Sequence, residues 1–407
     1  MKITFLGDIM CEPTVLKGAK KGKTYDFTYV FDGVRDFLKE SDCLIGNLET
    51  PLAGEQAGYT DGFACFNAPD SYADALKDAG FQLISTANNH VFDRGYEGLC
   101  STIRCLDAKG IPHTGTFLPG APRQEAYYLD VGNTKVAVIA YTYNTNFDSS
   151  GKKCAAEGEY EGTVNLLRTQ RESVFLKGHL RGMTRFDKMT KKFLSYYTRS
   201  KIKKFFGATY SYPRPDHNLN EETMAPYVEK FQNDIRTAKE KADFVIFYPH
   251  TGGQFDPHPG AITEYVVEKA VEAGADAVVA SHAHVVQNAK MFGKIPCAYS
   301  IGNFNMDPTS ALVVPEYLPG WGLAWHLYVE DGKLKKVGFS ILVAQKEGRK
   351  LMTRTLWDRY TAANETQKDL LKKRTRQIYE TVTRKPLTDE WVRKEYTFWE
   401  DMTDAKA

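Results

Sequence analysis

Residues 277–284 read AVVASHAH, a short apolar run that leads directly into His282 and His284. A run of this length that is rich in apolar and β-branched residues is typical of a strand buried on both faces. Ligands of open α/β sheets bind in the crevice beyond the carboxyl ends of such strands. The stretch therefore predicts an α/β fold and also the edge of the sheet at which a functional site lies.

Four other segments of the chain repeat this organisation. Each is an apolar run that ends near a side chain suited to metal binding or catalysis: 3–6 with Asp8, 43–45 with Glu49, 81–85 with Asn89 and His90, and 244–248 with His250. Since the carboxyl ends of parallel strands meet at one edge of a sheet, we expect one crevice to hold all of these groups.

Helix-like stretches separate the predicted strands, which indicates a sheet built from βαβ units. Apolar residues recur at a spacing near 3.6 within 32–39, 71–79, 97–109, 227–242 and 264–273, and Gly80, Gly110 and Gly274 act as stop signals. Further strands are predicted at 135–140 and 297–301, and the alternation within 321–343 is typical of antiparallel strands. The charged stretch 358–402 is interpreted as two peripheral helices, broken at Pro386.

Composition limits the class of protein. The 407 residues are 42% hydrophobic, which supports a sizeable core, and 53 Lys and Arg nearly balance 51 Asp and Glu. Seven cysteines without a Cys-x-x-Cys pair predict free thiols rather than a disulfide framework. Neither a signal peptide nor a transmembrane segment is recognised, so we expect a cytoplasmic protein, or a membrane-associated or extracytoplasmic one if the chain belongs to a longer protein. The oligomeric state is left open.

The alternation of strands and helices breaks at 147–218, where a basic insertion is predicted. Within 168–204, twelve Lys and Arg residues are opposed only by Glu172 and Asp187. One interpretation is a solvated helical face. Interleaved aromatic residues favour instead a helical lid that attracts an anionic polymer, with Lys191, Lys192 and Arg199 as substrate-binding candidates. Nucleic acid is not expected as a partner, because no known binding motif accompanies the charge.

The residue types at the strand ends indicate a metal centre. Imidazole nitrogen with carboxylate and amide oxygen suits borderline divalent ions, whereas a calcium site would be mostly oxygen. We therefore predict one or two Mn²⁺, Zn²⁺ or Fe²⁺ ions per chain. His282 and His284 would point in opposite directions on a regular strand. A loop after the strand can aim both inward, or each can face a different ion.

The motifs, in their order, resemble a known family. They are Gly7-Asp8, Asn47-Leu48-Glu49-Thr50-Pro51-Leu52, Asn88-Asn89-His90 with Asp93-x-Gly95, His250-x-Gly252, Gly274-Ala275-Asp276, His282-x-His284-Val285 through Gln287, and Tyr299-Ser300-Ile301-Gly302-Asn303-Phe304. This series resembles the CapA/PgsA family of poly-γ-glutamate capsule synthesis, which has a calcineurin-like metallophosphatase fold. The resemblance implies a layered α/β fold, with mixed β-sheets flanked by helices, over residues 1–345. Residues 346–407 would form a C-terminal helical extension.

The resemblance also implies roles for the residues of these motifs. Asp8 and His284 would bind a first ion, Glu49 would bridge two ions, and Asn89, His250 and His282 would bind the second. His90 would act beside the substrate as a proton donor or charge stabiliser. Asp93 would orient His90, with a turn residue before Gly95 as the alternative. Asn47 and Asn303 are candidates for substrate contact, although Asn303 can also be a simple turn residue.

Three positions depart from the wider metallophosphatase pattern. Met10 stands where a histidine is usual, which predicts a weak or empty first site. Cys11 is a possible replacement ligand, but a buried cysteine without chemistry is the simpler interpretation. Val91 stands where an acidic residue usually follows the histidine, and Gln254 stands where the family often has a glutamate.

Three functions remain open at this point. The first is a metal-dependent hydrolase or transferase that acts on a γ-glutamyl polymer or a related anionic amide, as the resemblance implies. The second is a metal-dependent phosphoesterase, by analogy of fold. The third is a non-catalytic, metal-stabilised accessory protein for the synthesis or export of a polymer. The expected partner is accordingly an anionic polymer or a small-molecule substrate.

Overall fold

Two β-sheets packed face to face form the centre of the molecule. The computed structural model describes residues 1–61, 65–146, 154–170, 185–186, 189–190, 193–194, 199, 202, 214–310, 313–388 and 391–401. Within this part the strands are β1 Lys2–Ile9, β2 Lys20–Lys21, β3 Thr24–Tyr25, β4 Cys43–Leu48, β5 Leu83–Ser85, β6 His113–Thr114, β7 Tyr127–Val131, β8 Thr134–Thr142, β9 Phe244–His250, β10 Ala277–Val279, β11 Ala289–Phe292, β12 Ile295–Ala298, β13 Trp321–Glu330, β14 Lys333–Glu347, β15 Lys350–Thr355 and β16 Tyr396–Glu400.

The strands that lead to the site are divided between the two sheets. The first has the order β15-β14-β13-β1-β4-β5-β6, with β16 paired to β14, and the second has the order β11-β12-β10-β9-β8-β7. β1, β4, β5 and β6 run parallel in the first sheet, as do β8, β9, β10 and β12 in the second. The site residues therefore come from the carboxyl ends of two parallel sets rather than from one open sheet.

Helices cover the outer faces of both sheets. The α-helices of the described residues are α1 Pro13–Ala19, α2 Tyr29–Asp32, α3 Arg35–Leu38, α4 Ser71–Asp78, α5 Gly95–Ala108, α6 Arg214–His217, α7 Glu221–Lys239, α8 Ala261–Glu272, α9 Leu356–Thr361 and α10 Glu365–Thr383. α1 to α5 pack on the first sheet, and α7 and α8 pack on the second. Gly80 and Gly110 follow α4 and α5 with positive φ angles of 88° and 62°, as expected for helix stop positions.

Strand alternation explains why one apolar run can serve two cores. On β1, Phe5 points into the core between the sheets, while Leu6 points into the core under the helices. On β9, Ile246 and Phe247 divide in the same way between the central core and the core beneath α7 and α8. Successive side chains of a strand face opposite sides, so a strand covered on both faces must be apolar throughout.

Residues 300–304 join the two sheets at the end where the site lies. Ile301 donates its backbone N–H to Ala280 of the second sheet at 3.2 Å, while Gly302 accepts from the backbone N–H of Asp8 at 3.0 Å. Gly7 must be glycine here, because a Cβ atom would stand 2.3 Å from the carbonyl oxygen of Gly302. The close crossing fixes β1 against the second sheet and so aligns ligands from both.

Most of the predicted elements are confirmed, including the five strands that lead to site residues and the antiparallel strands of 321–343. The interpretation of 358–402 is wrong in part. Two helices are present in its described residues, but both precede Pro386, and Tyr396–Glu400 forms a strand that pairs with β14. None of the helices in the described part combines the length and apolar composition required to cross a membrane.

The predicted insertion is described only in fragments, which include 154–170. This fragment packs against the body, since Val164 bridges to Thr116 and Leu166 to Thr142 at the end of β8. The division of the chain into 1–345, the insertion 147–218 and 346–407 stays a prediction.

Candidate metal centre

The six residues predicted as ligands meet in one buried cluster between the carboxyl ends of the two sheets. Asp8 lies on β1, Glu49 follows β4 and Asn89 follows β5, while His250 ends β9 and the two remaining histidines follow β10. The side chains of this cluster are at most 3% exposed: Asp8, Glu49, Asn89, His250, His282 and His284. Residues distant in sequence are thus brought within a few ångströms of one another.

Glu49 lies at the centre of the cluster. Its Oε1 is 3.4 Å from Nε2 of His250, 3.6 Å from Nε2 of His284 and 3.7 Å from Nε2 of His90. Neither carboxylate oxygen has a hydrogen-bond partner among the described residues, although the residue is fully buried. A buried carboxylate without donors is costly unless a cation compensates it. Its environment therefore fits a metal ligand.

Two groups of possible ligand atoms share Glu49. One consists of Glu49, His250 and His282, and the other of Asp8, Glu49 and His284. Within each group the nitrogen and oxygen atoms lie within 4.8 Å of one another. Two atoms that bind the same ion at about 2.0–2.2 Å cannot be farther apart than roughly twice that distance. A separation within 4.8 Å is therefore close to what a shared ion requires. The arrangement is the one expected for a carboxylate between two adjacent cation positions.

Nε2 of His250 illustrates the convergence of electron-donating atoms. It lies 2.8 Å from Oδ1 of Asn89, 3.1 Å from Nδ1 of His282 and 3.4 Å from Oε1 of Glu49. A neutral imidazole nitrogen carries at most one proton, so it cannot satisfy three such neighbours by hydrogen bonding. Lone pairs that point at a shared cation explain the geometry better.

Two of the three side chains in the second ligand group, Asp8, Glu49 and His284, are carboxylates. Burial acts to raise the pKa of Asp8, but its bond with His284 and the charges of His250 and His284 lower it to about 2. Burial likewise acts to lower the pKa of His284, whereas the charge of Glu49 and the contact with Asp8 raise it to about 9. The lowered pKa of Asp8 reflects the imidazoles that face it, and the raised pKa of His284 reflects the two carboxylates beside it. Because two carboxylates stand against one imidazole in this group, an excess of negative charge remains that favours a cation.

Backbone geometry aims the two histidines in different directions. His282 has φ 106° and His284 has φ 56°, angles that are rare for residues other than glycine. Such conformations cost about 1–3 kcal/mol each and concentrate at functional sites. They place His282 in one ligand group and His284 in the other. The second of the two alternatives for the His-x-His motif, in which each histidine faces a different position, thus agrees with the structure.

His90 and Asp93 form a buried pair beside the cluster. Nδ1 of His90 lies 2.6 Å from Oδ2 of Asp93, and the same oxygen accepts the backbone N–H of Phe66 at 2.5 Å. Nε2 of His90 therefore faces the cluster, at 3.7 Å from Oε1 of Glu49. Burial acts to lower the pKa of His90, but the charges of Asp93 and Glu49 outweigh it and raise the pKa. Of the two roles considered for Asp93, this contact agrees with the orienting one, which stays a prediction.

The two residues considered for the missing ligand position lie elsewhere. Met10 is fully buried in an apolar cluster with Phe66 and Met306. Cys11 packs with Leu6 and Ile9 in the core under the helices, and burial raises the pKa of its thiol. Cys11 belongs to neither ligand group among the described residues, and the apolar neighbours of Met10 separate it in character from Asp8, Glu49 and His284.

The candidates for substrate contact fall into two sets. Asn47 donates to Oδ1 of Asp8 at 2.8 Å, and the amide of Asn303 bonds Nδ1 and the carbonyl of His284 at 2.8 and 2.7 Å. Both side chains are almost fully buried and lie behind the ligands. Of the basic candidates, Lys191 and Lys192 lie outside the described residues. Arg199 is 3% exposed and donates to the carbonyl of Leu194 at 2.7 Å.

Four further residues of the site were not predicted. Ser281 Oγ is 3.1 Å from Nδ1 of His250, and Asn88 donates to Oδ1 of Asn47 at 3.1 Å. Asn146 Nδ2 lies 3.3 Å from Nδ1 of His90, and the ring of Tyr143 packs on His282 with centroids 4.4 Å apart. Tyr143 and Asn146 follow β8, so the rule that strand ends carry the site could have identified them. Serine and asparagine at the other two positions carry no distinctive signal.

Comparisons with known proteins identify the family of the chain. Residues 2–308 match the family described as "Bacterial capsule synthesis protein PGA_cap". Among its relatives, the chain is 26% identical over 316 residues to "Uncharacterized protein y4sH" of Sinorhizobium fredii (strain NBRC 101917 / NGR234), covering 74% of this chain and 65% of that protein. It is 24% identical over 310 residues to "Capsule biosynthesis protein CapA" of Bacillus anthracis, covering 75% and 60%. It is 22% identical over 311 residues to "PGA biosynthesis protein CapA" of Bacillus subtilis (strain 168), covering 75% and 63%.

The chain thus spans somewhat less than two thirds of the length of these relatives. A solved structure of a hypothetical protein from Thermus thermophilus aligns with 84% of this chain and 98% of its own, at 16% identity and a TM-score of 0.43. The family match covers most of the chain and includes all six candidate ligand residues described above. The chain belongs to the bacterial capsule synthesis protein family PGA_cap, a member of the calcineurin-like superfamily.

Proposed function

We propose that the protein is a metal-dependent hydrolase or transferase that acts on a γ-glutamyl polymer or a related anionic amide. One observation carries the metal dependence: Glu49 is fully buried, belongs to both ligand groups and has no hydrogen-bond partner on either oxygen within the described part of the chain. The family and the relatives named for capsule and PGA biosynthesis support the polymer as the substrate class. Because the chain spans only part of those relatives, the activity is proposed and not transferred from them.

The donor set supports Mn²⁺, Zn²⁺ or Fe²⁺, because it combines three imidazoles with carboxylate and amide oxygen. One ion would be held by Glu49, Asn89, His250 and His282. A second would be held by Asp8, Glu49 and His284, with fewer ligands and therefore weaker binding. Divalent ions so held would supply Lewis acidity and bring the pKa of water towards neutrality.

His90 is the proposed proton donor. Asp93 holds its Nδ1 at 2.6 Å, which fixes the ring and leaves Nε2 directed at the cluster. The raised pKa keeps a larger fraction of this imidazole protonated near neutral pH. A protonated Nε2 can deliver its proton to the amine that leaves when an amide bond breaks. Asn47 and Asn303 are proposed as positioning residues for Asp8 and His284, not as substrate ligands.

Metal content and turnover of paired variants test the proposal. His250→Ala and His282→Ala each remove one ligand of the four-residue group, so both are expected to lose metal and activity on γ-linked glutamate polymer together. His258→Ala is the matched control, since His258 is exposed and outside both ligand groups. Full activity of a His250→Ala protein shown to be metal-free by elemental analysis would end the proposal.

The same measurements separate the two alternatives. Rapid turnover of a generic phosphodiester with no cleavage of γ-glutamyl chains would favour a phosphoesterase. Metal occupancy without turnover of phosphoesters, peptides or γ-glutamyl chains would favour an accessory protein. Met10 counts against a phosphoesterase with two strong sites, because the imidazole usual at this position is replaced by a thioether buried in an apolar cluster.

A further inference from the structure

The side chains of Tyr143 and Arg168 lie next to each other beside the four residues proposed to hold one ion, Glu49, Asn89, His250 and His282. The ring of Tyr143 lies with its centroid 4.4 Å from that of His282, at an interplanar angle of 42°. The guanidinium carbon of Arg168 is 5.0 Å from the centroid of the Tyr143 ring, and its Nε donates to the Tyr143 carbonyl at 3.1 Å. A cationic side chain therefore lies over an aromatic ring that in turn contacts a proposed metal ligand.

Backbone contacts fix the position of Arg168. The preceding residue, Leu167, donates its N–H to the carbonyl of Thr142 at 2.8 Å, and Leu166 bridges to Thr142 in parallel. Arg168 thus continues a short strand-like segment along the carboxyl end of β8, the end of the strand at which the site lies. Its side chain is 7% exposed.

The charge of Arg168 reaches the site. Burial is the largest cause that lowers the pKa of His282, followed by the charges of the neighbouring histidines, and the charge of Arg168 acts in the same direction. A buried guanidinium at this position provides a fixed positive potential next to the metal ligands. Such a potential is stronger in a buried site than it would be in water.

We infer that Arg168 binds a carboxylate of the substrate beside the scissile amide. The inference rests on the proposed function and specifies which part of the substrate is recognised. In a γ-linked glutamyl chain, the carbon bonded to the amide nitrogen carries a free carboxylate, so an anion always accompanies the bond to be cleaved. The planar fork of arginine matches a carboxylate through two parallel hydrogen bonds, and its stacking on Tyr143 preorganises that fork.

The test compares two oligomers on the metal-loaded full chain. One is a γ-linked glutamyl oligomer, and the other is the same oligomer with each free carboxylate converted to a carboxamide. Arg168→Gln is expected to lower kcat/KM by about 10- to 100-fold on the first, since a charged hydrogen bond is lost. On the carboxamide oligomer, the change should stay within about threefold. Arg168→Lys keeps the charge but loses the planar fork, so its kcat/KM on the first oligomer should lie between those of the wild type and Arg168→Gln.

Arg236→Gln provides the matched control. Arg236 is exposed on α7 and bonds only to neighbouring side chains of that helix among its described contacts. This variant should retain the wild-type values on both oligomers. The metal content of all variants is measured in parallel and should be unchanged. Equal losses on both oligomers, or loss of metal from Arg168→Gln, would overturn the inference and assign Arg168 a structural role.

Equilibrium binding separates this inference from the proposed function. Both oligomers are titrated into metal-loaded wild type and Arg168→Gln. If neither oligomer is cleaved but the preference for carboxylate over carboxamide disappears only in Arg168→Gln, the hydrolase fails, whereas the binding of a polymer carboxylate by Arg168 stands. If the polymer is cleaved but the preference is the same in both proteins, the inference fails and the hydrolase stands. If Arg168 is needed for binding a phosphate monoester and not for binding the carboxylate oligomer, the inference is also overturned.

Discussion

Single residues determine the charge balance of the site, and Glu49 is the clearest case. Its carboxylate is fully buried with no donor to either oxygen among the described residues, while three imidazole nitrogens lie within 3.7 Å. The motif that contains Glu49 can be recognised in the sequence, and its resemblance to the family predicts that Glu49 is shared between two ion positions. Its lack of hydrogen-bond donors was not predictable, because that depends on how the surrounding loops pack.

We predict that Glu49→Gln removes the stabilisation by divalent ions. Metal at 100 times its dissociation constant raises the free energy of unfolding by about 2.7 kcal/mol. The variant should lose this increment, while its metal-free form should be no less stable than metal-free wild type, since a buried charge without donors is removed. Thermal unfolding with and without Mn²⁺ or Zn²⁺ measures both effects.

Glu272→Gln is the matched control for this prediction. Glu272 is exposed at the end of α8 and pairs with Lys269. It should retain the full response to metal. An unchanged response in Glu49→Gln would contradict the bridging role of Glu49.

At the scale of elements, a row of polar groups crosses the first sheet far from the site. Nδ1 of His326 on β13 lies 3.0 Å from Oγ1 of Thr4 on β1, and its Nε2 lies 3.1 Å from Oγ of Ser340 on β14. Burial is the main cause that lowers the pKa of His326 to about 3, with the charge of Lys2 acting in the same direction. No motif of the sequence contains this histidine, so its place in the sheet could not be predicted.

His326 should therefore make stability depend on pH. The unfolded chain binds a proton below its ordinary pKa of 6.5, whereas the folded chain does so only near 3. Stability contributed by the neutral ring is present above pH 6.5 and is lost as the pH falls towards 3. We predict that His326→Gln lowers the slope of unfolding free energy against pH between 6 and 4, by up to about 1.4 kcal/mol per pH unit.

Chemical denaturation at several pH values measures this slope. His258→Gln, at an exposed position, should leave it unchanged. A slope in His326→Gln equal to that of wild type would show that the ring is protonated in the folded protein.

The crossing of β1 with residues 302–303 is a second feature at this scale. An added Cβ at Gly7 would stand 2.3 Å from the carbonyl oxygen of Gly302, and backbone atoms cannot move aside cheaply. We predict that Gly7→Ala costs about 1–3 kcal/mol or more of stability and weakens metal binding, because Asp8 and the second sheet separate. Gly132→Ala, where the added atom meets open space among the described residues at φ 56°, should cost about 1 kcal/mol and leave metal binding intact. Equal metal affinity in the two variants would contradict this view of the crossing.

At the scale of the whole molecule, two sheets rather than one bring the ligands together. Periodicity predicted the strands and the side chains at their ends, because both are local properties of the sequence. It could not predict that β1 and β9 belong to different sheets, because strand partners are set by contacts far apart in the chain. For the same reason the strand Tyr396–Glu400 was read as helix: its pairing with β14 and the burial of Tyr396 are tertiary effects.

The C-terminal part should stabilise the fold without contributing to the site. Tyr396 is 2% exposed, stacks on Phe339 with centroids 5.2 Å apart and packs in the core between the sheets. We predict that Tyr396→Ala costs about 3–5 kcal/mol of stability, as for other buried aromatic residues, but leaves metal content per folded chain unchanged. Denaturation combined with elemental analysis tests both statements, and loss of metal from the folded variant would contradict them.

The most direct test of the proposed metal centre is anomalous diffraction from crystals of the metal-loaded protein. We predict a peak at the absorption edge of the bound ion, about 2.0–2.2 Å from the imidazoles of His250 and His282 and from a carboxylate oxygen of Glu49. A second, weaker peak is expected beside Asp8 and His284. Crystals that contain the metal with no peak within bonding distance of Glu49 would contradict it.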